Sequence, residues 1–104
     1  MSDSSASTDA AGVLICDDSV TMRLALRRSL EAQGLPICAE AASGEDAVKL
    51  AAQLQPDLIT MDVMLPGMDG FRATQAILKA GPARIVIVSA AGEALQADLS
   101  FRAL

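Results

Sequence analysis

Short apolar runs recur at residues 13–16, 36–42, 57–61 and 84–88, and each interval between them is long enough for a helix. Runs this short, bounded by Gly, Pro and small polar residues, read as strands rather than as helices. Strands alternating with helices through short links imply right-handed crossovers and a parallel sheet with helices on both faces. The fold class expected is therefore α/β, a doubly wound parallel sheet. Sheets of this kind carry their chemistry outside the carboxyl ends of the strands, where strand order reverses. What each run ends on is then the informative part of the sequence.

The intervals support the alternation. Ser19 or Asp18 can cap a helix over residues 20–33, in which Met22, Ala25, Leu26, Ser29 and Leu30 share one face and Gly34 stands just past the end. Arg23, Arg27 and Arg28 lie off that face and are expected to form a solvated surface. The run at 36–42 is the least hydrophobic, which suits an edge strand. Ser43 then caps a second helix with acids in its first turn. Ala47, Leu50, Ala51 and Leu54 are its expected buried face, and Pro56 stops it. Asp69 is an expected N-cap for a third helix near Gly70, with Phe71, Thr74, Ile77 and Leu78 on the inner face and Gly81-Pro82 at the end. Arg84–Val88 is the most β-branched run and is expected to be fully buried. A weakly amphipathic helix from about 92 to 101 follows.

A chain of 104 residues suits one small domain. Residues 1–11 are small and polar, an expected disordered leader, which leaves 12–104 for the folded domain. Apolar residues make up 52 % of the chain, enough for a core. The net charge of −5 argues against direct binding of nucleic acid or an anionic membrane. Only two aromatics occur, Phe71 and Phe101, too few to stack single-stranded bases. Cys16 and Cys38 sit in apolar runs without Cys-x-x-Cys spacing and read as reduced core thiols; with no histidine, a zinc site is not expected. No 18-residue apolar run or basic leader is present, so no membrane insertion is expected, and the cytoplasm is the expected compartment.

Three runs end on polar residues: the first on Asp17-Asp18, the third on Asp62, the fourth on Ser89. Each acid alone reads as a helix cap. If the first and third strands are neighbours, however, three carboxylates converge. Like charges so close are costly, and a hard divalent cation such as Mg²⁺ offsets that cost. A carboxylate beside Mg²⁺ is a competent nucleophile toward phosphorus, and Ser89 could hydrogen-bond a phosphoryl oxygen. Spacing alone leaves a Mg²⁺-dependent hydrolase open as well.

Val13–Arg23, with Asp17-Asp18-Ser19 followed by Thr21-Met22-Arg23, resembles the opening of two-component response-regulator receiver domains. So does Pro56–Gly70, a long match running through Met61-Asp62-Val63-Met64-Leu65-Pro66-Gly67, and so does Ile85–Ala90. The Asp-Asp-Ser-x-x-Met-Arg form is most similar to the chemotaxis branch, either single-domain regulators or the receivers of methylesterase regulators. The resemblance implies a flavodoxin-like fold. It implies Asp62 as phospho-acceptor, Asp18 and Asp62 as direct Mg²⁺ ligands with the Met64 backbone carbonyl, and Asp17 as an acid holding the metal through water. Ser89 matches the switch hydroxyl. A histidine kinase is the implied donor, and a downstream output protein or domain the implied target. The protein is then not an enzyme beyond its own phosphorylation and dephosphorylation. Met64, two positions after Asp62, implies slow self-dephosphorylation, because a thioether cannot orient an attacking water.

The family pattern continues with a fifth strand that opens on a lysine, and then a fifth helix. Four βα units are recognisable here and the last is missing, while Lys49 and Lys79 match no catalytic lysine. A truncated regulator is the expectation; the other explanation is that a partner or a swapped second copy supplies the missing part beside the unpaired edge of the 84–88 strand. Two rival functions stay open: a receiver-like module that docks without being phosphorylated, and an Asp-nucleophile phosphohydrolase. The latter needs an acid two residues past the nucleophile, where Met64 stands.

Overall fold

The computed structural model describes residues 11–88. Strand β1 is Val13–Cys16, helix α1 Val20–Ala32, β2 Ile37–Ala41, α2 Gly44–Leu54, β3 Leu58–Asp62, α3 Gly70–Ala80 and β4 Ile85–Val88. The four strands form one parallel sheet in the order β2-β1-β3-β4. This is the α/β architecture expected from the alternation, with β2 at an edge as its weaker hydrophobicity implied. The helix from about 92, Ser89 and most of the leader lie outside the described residues.

Each helix starts where a short polar side chain meets a free backbone N–H. Ser19 accepts from the Met22 amide, Ser43 from Asp46 and Asp69 from Arg72, at 3.1, 3.2 and 2.9 Å. Helix α1 ends through Gln33 and the left-handed Gly34, and α2 through Gln55 at φ 48° just before Pro56.

Alternation along the strands divides the sheet into two faces. Leu14, Cys16, Ile59, Met61 and Ile85 join Ala47, Ala51, Ala73 and Ile77 in one core beneath α2 and α3. Ile59 sits at the middle of that core, 1 % exposed. Ile59→Val is expected to cost about 1 kcal/mol, visible as a fall in melting temperature of about 5 °C.

The opposite face carries Val13, Ile15, Thr60 and Val86, and among the described residues α1 alone packs over it, against β1 and β2. That explains a departure from the expected burial. No residue of α1 is buried, and of its predicted apolar face Met22, Leu26 and Leu30 are half-buried while Ala25 and Ser29 are exposed.

Three further expectations are corrected. In β4 only Ile85 is buried, because the strand lies at the sheet edge and Val86–Val88 have a neighbour strand on one side only among the described residues. Leu54, the last residue of α2, is exposed. Phe71 is 60 % exposed rather than inward. The inner stripe of α3 is Gly70, Ala73, Thr74 and Ile77, and Phe71 lies one residue off it.

Candidate phosphoryl-transfer site

The strand order decides the site. β1 and β3 are hydrogen-bonded neighbours, with Cys16 opposite Met61. The next residue on each strand is an acid, so Asp17 and Asp62 emerge side by side at the carboxyl edge. A carboxylate oxygen from each of Asp17, Asp18 and Asp62 lies within 4.8 Å of the others. Asp17 and Asp62 are buried and Asp18 is exposed, so the cluster forms a pit open on one side.

Local turns orient two of the three. The Ser19 amide donates to Asp17 Oδ1 at 2.9 Å, and the Met64 amide donates to Asp62 Oδ1 at 3.0 Å. Each bond leaves the second oxygen of its carboxylate free for another partner among the described residues. Both are Asx-type contacts reaching two residues on, which a loop starting straight after a strand readily makes. The Met64 side chain is 76 % exposed at the rim.

Among the described residues, no lysine or arginine forms an ion pair with these three carboxylates. Burial pushes the Asp17 carboxyl up from its ordinary value; the Ser19 hydrogen bond opposes this, the Asp62 and Asp18 charges add to it, and Arg23 draws it back. An oxygen-only donor set of three converging carboxylates fits a hard divalent ion such as Mg²⁺.

A carboxyl whose folded pKa lies above its unfolded value binds its proton more tightly when folded. The cost of ionising it is absent below the ordinary carboxylate range and grows as pH rises through the raised value. Metal-free protein is therefore expected to lose stability across that window. Asp17→Asn should flatten the loss and raise the metal-free melting temperature at pH 7. Thermal scans with and without Mg²⁺ across pH check both, and the variant should gain less from the ion than the native chain.

Close packing holds the site's floor. A side chain on Gly70 would fall on the Asp62 carbonyl oxygen and lie 2.8 Å from Val63 Cα; one on Gly44 would fall on the Met68 carbonyl. The Asp62–Asp69 loop is thus pinned between the starts of α2 and α3.

Of the residues singled out in the sequence, Asp17, Asp18 and Asp62 come together, Met64 lies beside them, and Ser89 falls outside the described residues. The arginines were expected on a solvated face. Two are instead tied down: Arg23 and Arg27 both donate to Glu40 on β2, at 2.8 Å each, and Arg27 also meets Glu31. Their spacing of four on one helix was visible, but not the acid on the facing strand. Cys16 and Cys38 are free; burial pushes the Cys16 thiol up to about 12, with Asp17 and Cys38 adding to it, so it stays protonated and unreactive.

The family profile described as the response regulator receiver domain matches residues 13–102. The chain belongs to that family. Among curated relatives, a protein-glutamate methylesterase/protein-glutamine glutaminase of Myxococcus xanthus is 46 % identical over 93 residues, which span 88 % of this chain and 26 % of that protein. The chemotaxis protein CheY of Thermotoga maritima is 39 % identical over 82 residues, 78 % of this chain and 68 % of its own length. Among solved structures, the CheX–CheY–BeF₃–Mg²⁺ complex from Borrelia burgdorferi matches at TM-score 0.74 and 34 % identity, covering 84 % of this chain and 68 % of the other.

This is thus a receiver with chemotaxis-type relatives, and it spans about a quarter of the methylesterase relatives it matches. Receiver domains bind Mg²⁺ at an acidic pocket and interact with kinases and output partners. No helix among the described residues is long and apolar enough to cross a membrane.

Proposed function

We propose that this receiver accepts a phosphoryl group on Asp62 from the phosphohistidine of a histidine kinase, and that the modified site changes the affinity of an output partner or domain. The observation that carries the reading is the convergence of three carboxylates with no cationic side chain paired to them among the described residues. Asp17, Asp18 and Asp62 would hold Mg²⁺, with the Met64 backbone carbonyl as a further ligand. When bound, the ion neutralises charge on the carboxylates and on the phosphoryl oxygens.

The transfer itself is a displacement at phosphorus. Asp62 Oδ1 is engaged by the Met64 amide, which leaves Oδ2 as the attacking oxygen. A new P–O bond forms as the P–N bond to the donor imidazole breaks, and the electron pair leaves with the imidazole nitrogen. Ser89 is the proposed hydroxyl that follows the phosphoryl group. The chemotaxis relatives favour an output in that pathway, including a methylesterase domain on the same polypeptide. A cytoplasmic location goes with a kinase donor of this kind.

The test is incubation with Mg²⁺ and acetyl phosphate, followed by intact mass, with beryllofluoride and its fluorine signal in parallel. One phosphoryl group per chain, absent from Asp62→Ala, supports the reading. No modification under any condition overturns it in favour of a docking module, and steady release of phosphate favours a hydrolase.

A further inference from the structure

The ladder between β1 and β3 ends at the Cys16–Met61 pair, so the peptide that follows, Asp17–Asp18, has left the sheet. Its two flanking residues supply two of the three converging carboxylates. The orientation of this one peptide therefore sets where both side chains point. On its N-terminal side it is still held, because the Asp17 amide donates to the Ala41 carbonyl at 2.9 Å. On the other side the Asp17 carbonyl would lack a strand partner. Arg23 fills that place: its Nη1 donates to the Asp17 carbonyl at 2.7 Å. The same guanidinium donates through Nε to Glu40 Oε1, and Arg27 takes Glu40 Oε2. Arg23 is only 18 % exposed, so these bonds are shielded from competing water.

We propose that Arg23 is a positioning residue for the metal site, locking the Asp17–Asp18 peptide to Glu40 on β2 so that the acids of β1 converge on Asp62. This rests on the Mg²⁺ reading of those carboxylates. It is separable from a charge effect because the two have opposite signs. A guanidinium near three carboxylates repels a divalent cation, so loss of its charge alone would tighten binding. Loss of its hydrogen bond to the Asp17 carbonyl would loosen it. Partners one layer behind metal ligands typically contribute 10–100-fold to affinity.

The experiment measures Mg²⁺ affinity by calorimetry and Mn²⁺ affinity by electron paramagnetic resonance, with the Asp18 amide ¹⁵N shift as a direct report on the Asp17 carbonyl. Arg23→Gln is expected to weaken both ions by about tenfold and to move the Asp18 signal. Arg23→Lys keeps the charge, lacks the planar fork, and should weaken binding as well; it also serves if Arg23→Gln fails to fold. Arg27→Gln loses the ion pairs to Glu40 and Glu31 but no contact to Asp17, so its affinity should stay within about twofold of native. Native or tighter binding by Arg23→Gln overturns the positioning role and leaves the Mg²⁺ reading standing. Equal weakening by Arg23→Gln and Arg27→Gln overturns it too, as general loosening. Failure of the native chain to bind either ion overturns the Mg²⁺ reading itself, and the positioning role with it.

Discussion

Asp62→Asn is expected to remove phosphoryl uptake altogether, a fall of at least about 100-fold that corresponds to a barrier higher by about 2.7 kcal/mol. A carboxamide oxygen is a poor nucleophile, and no other acid among the described residues occupies the same place. Asp18 is exposed at the rim, and Asp17 has one oxygen held by the Ser19 amide. The substitution should not unfold the protein. Asparagine keeps the oxygen that accepts from the Met64 amide, and it removes one of three mutually repelling charges. A melting temperature equal to or above native, together with no mass gain from acetyl phosphate, is the combined expected result. Phosphoryl uptake retained by the variant would show that another residue is the acceptor.

Gly70→Ala is expected to act on stability and on the site at once. In an exposed helical position this change stabilises by up to about 1 kcal/mol. Here the added carbon meets backbone, the Asp62 carbonyl and Val63 Cα, and neither can swing aside as a flexible side chain would. Overpacking of this kind costs about 3 kcal/mol, so the steric effect wins by roughly 2 kcal/mol and the melting temperature should drop by about 10 °C. The start of α3 also donates from the Gly70 amide to the Val63 carbonyl at 3.1 Å. Relief of the clash therefore shifts the loop that carries Asp62, and Mg²⁺ affinity should fall with stability. A melting temperature that rises would mean the close approach is absent in solution.

The fold was legible where its causes are local. Ser19, Ser43 and Asp69 each accept from an amide three residues on, a contact within one turn of chain; Ser43 and Asp69 were readable as caps, and Ser19 as one of two candidates beside Asp18. Burial was less legible. Phe71 looked like an inner residue because it is large and apolar, yet α3 turns Gly70 and Ala73 inward, and small residues let the helix approach the loop below β3. The α1 face looked apolar by spacing, but how deeply it is buried depends on what else covers that side of the sheet. Arg23 looked like surface because its partners, Glu40 and the Asp17 carbonyl, come from 17 residues ahead and 6 behind.

The sequence by itself determined that strands end on Asp17-Asp18 and on Asp62, because strand ends are set by short-range patterns of apolar residues and breakers. It could not place those ends together. That required β1 to lie beside β3, a long-range pairing chosen by the packing of Leu14, Cys16, Ile59 and Met61 into one core under α2 and α3. Only then do three acids from two separate strands share one pit, and only then does an arginine on a neighbouring helix hold the peptide that aims two of them.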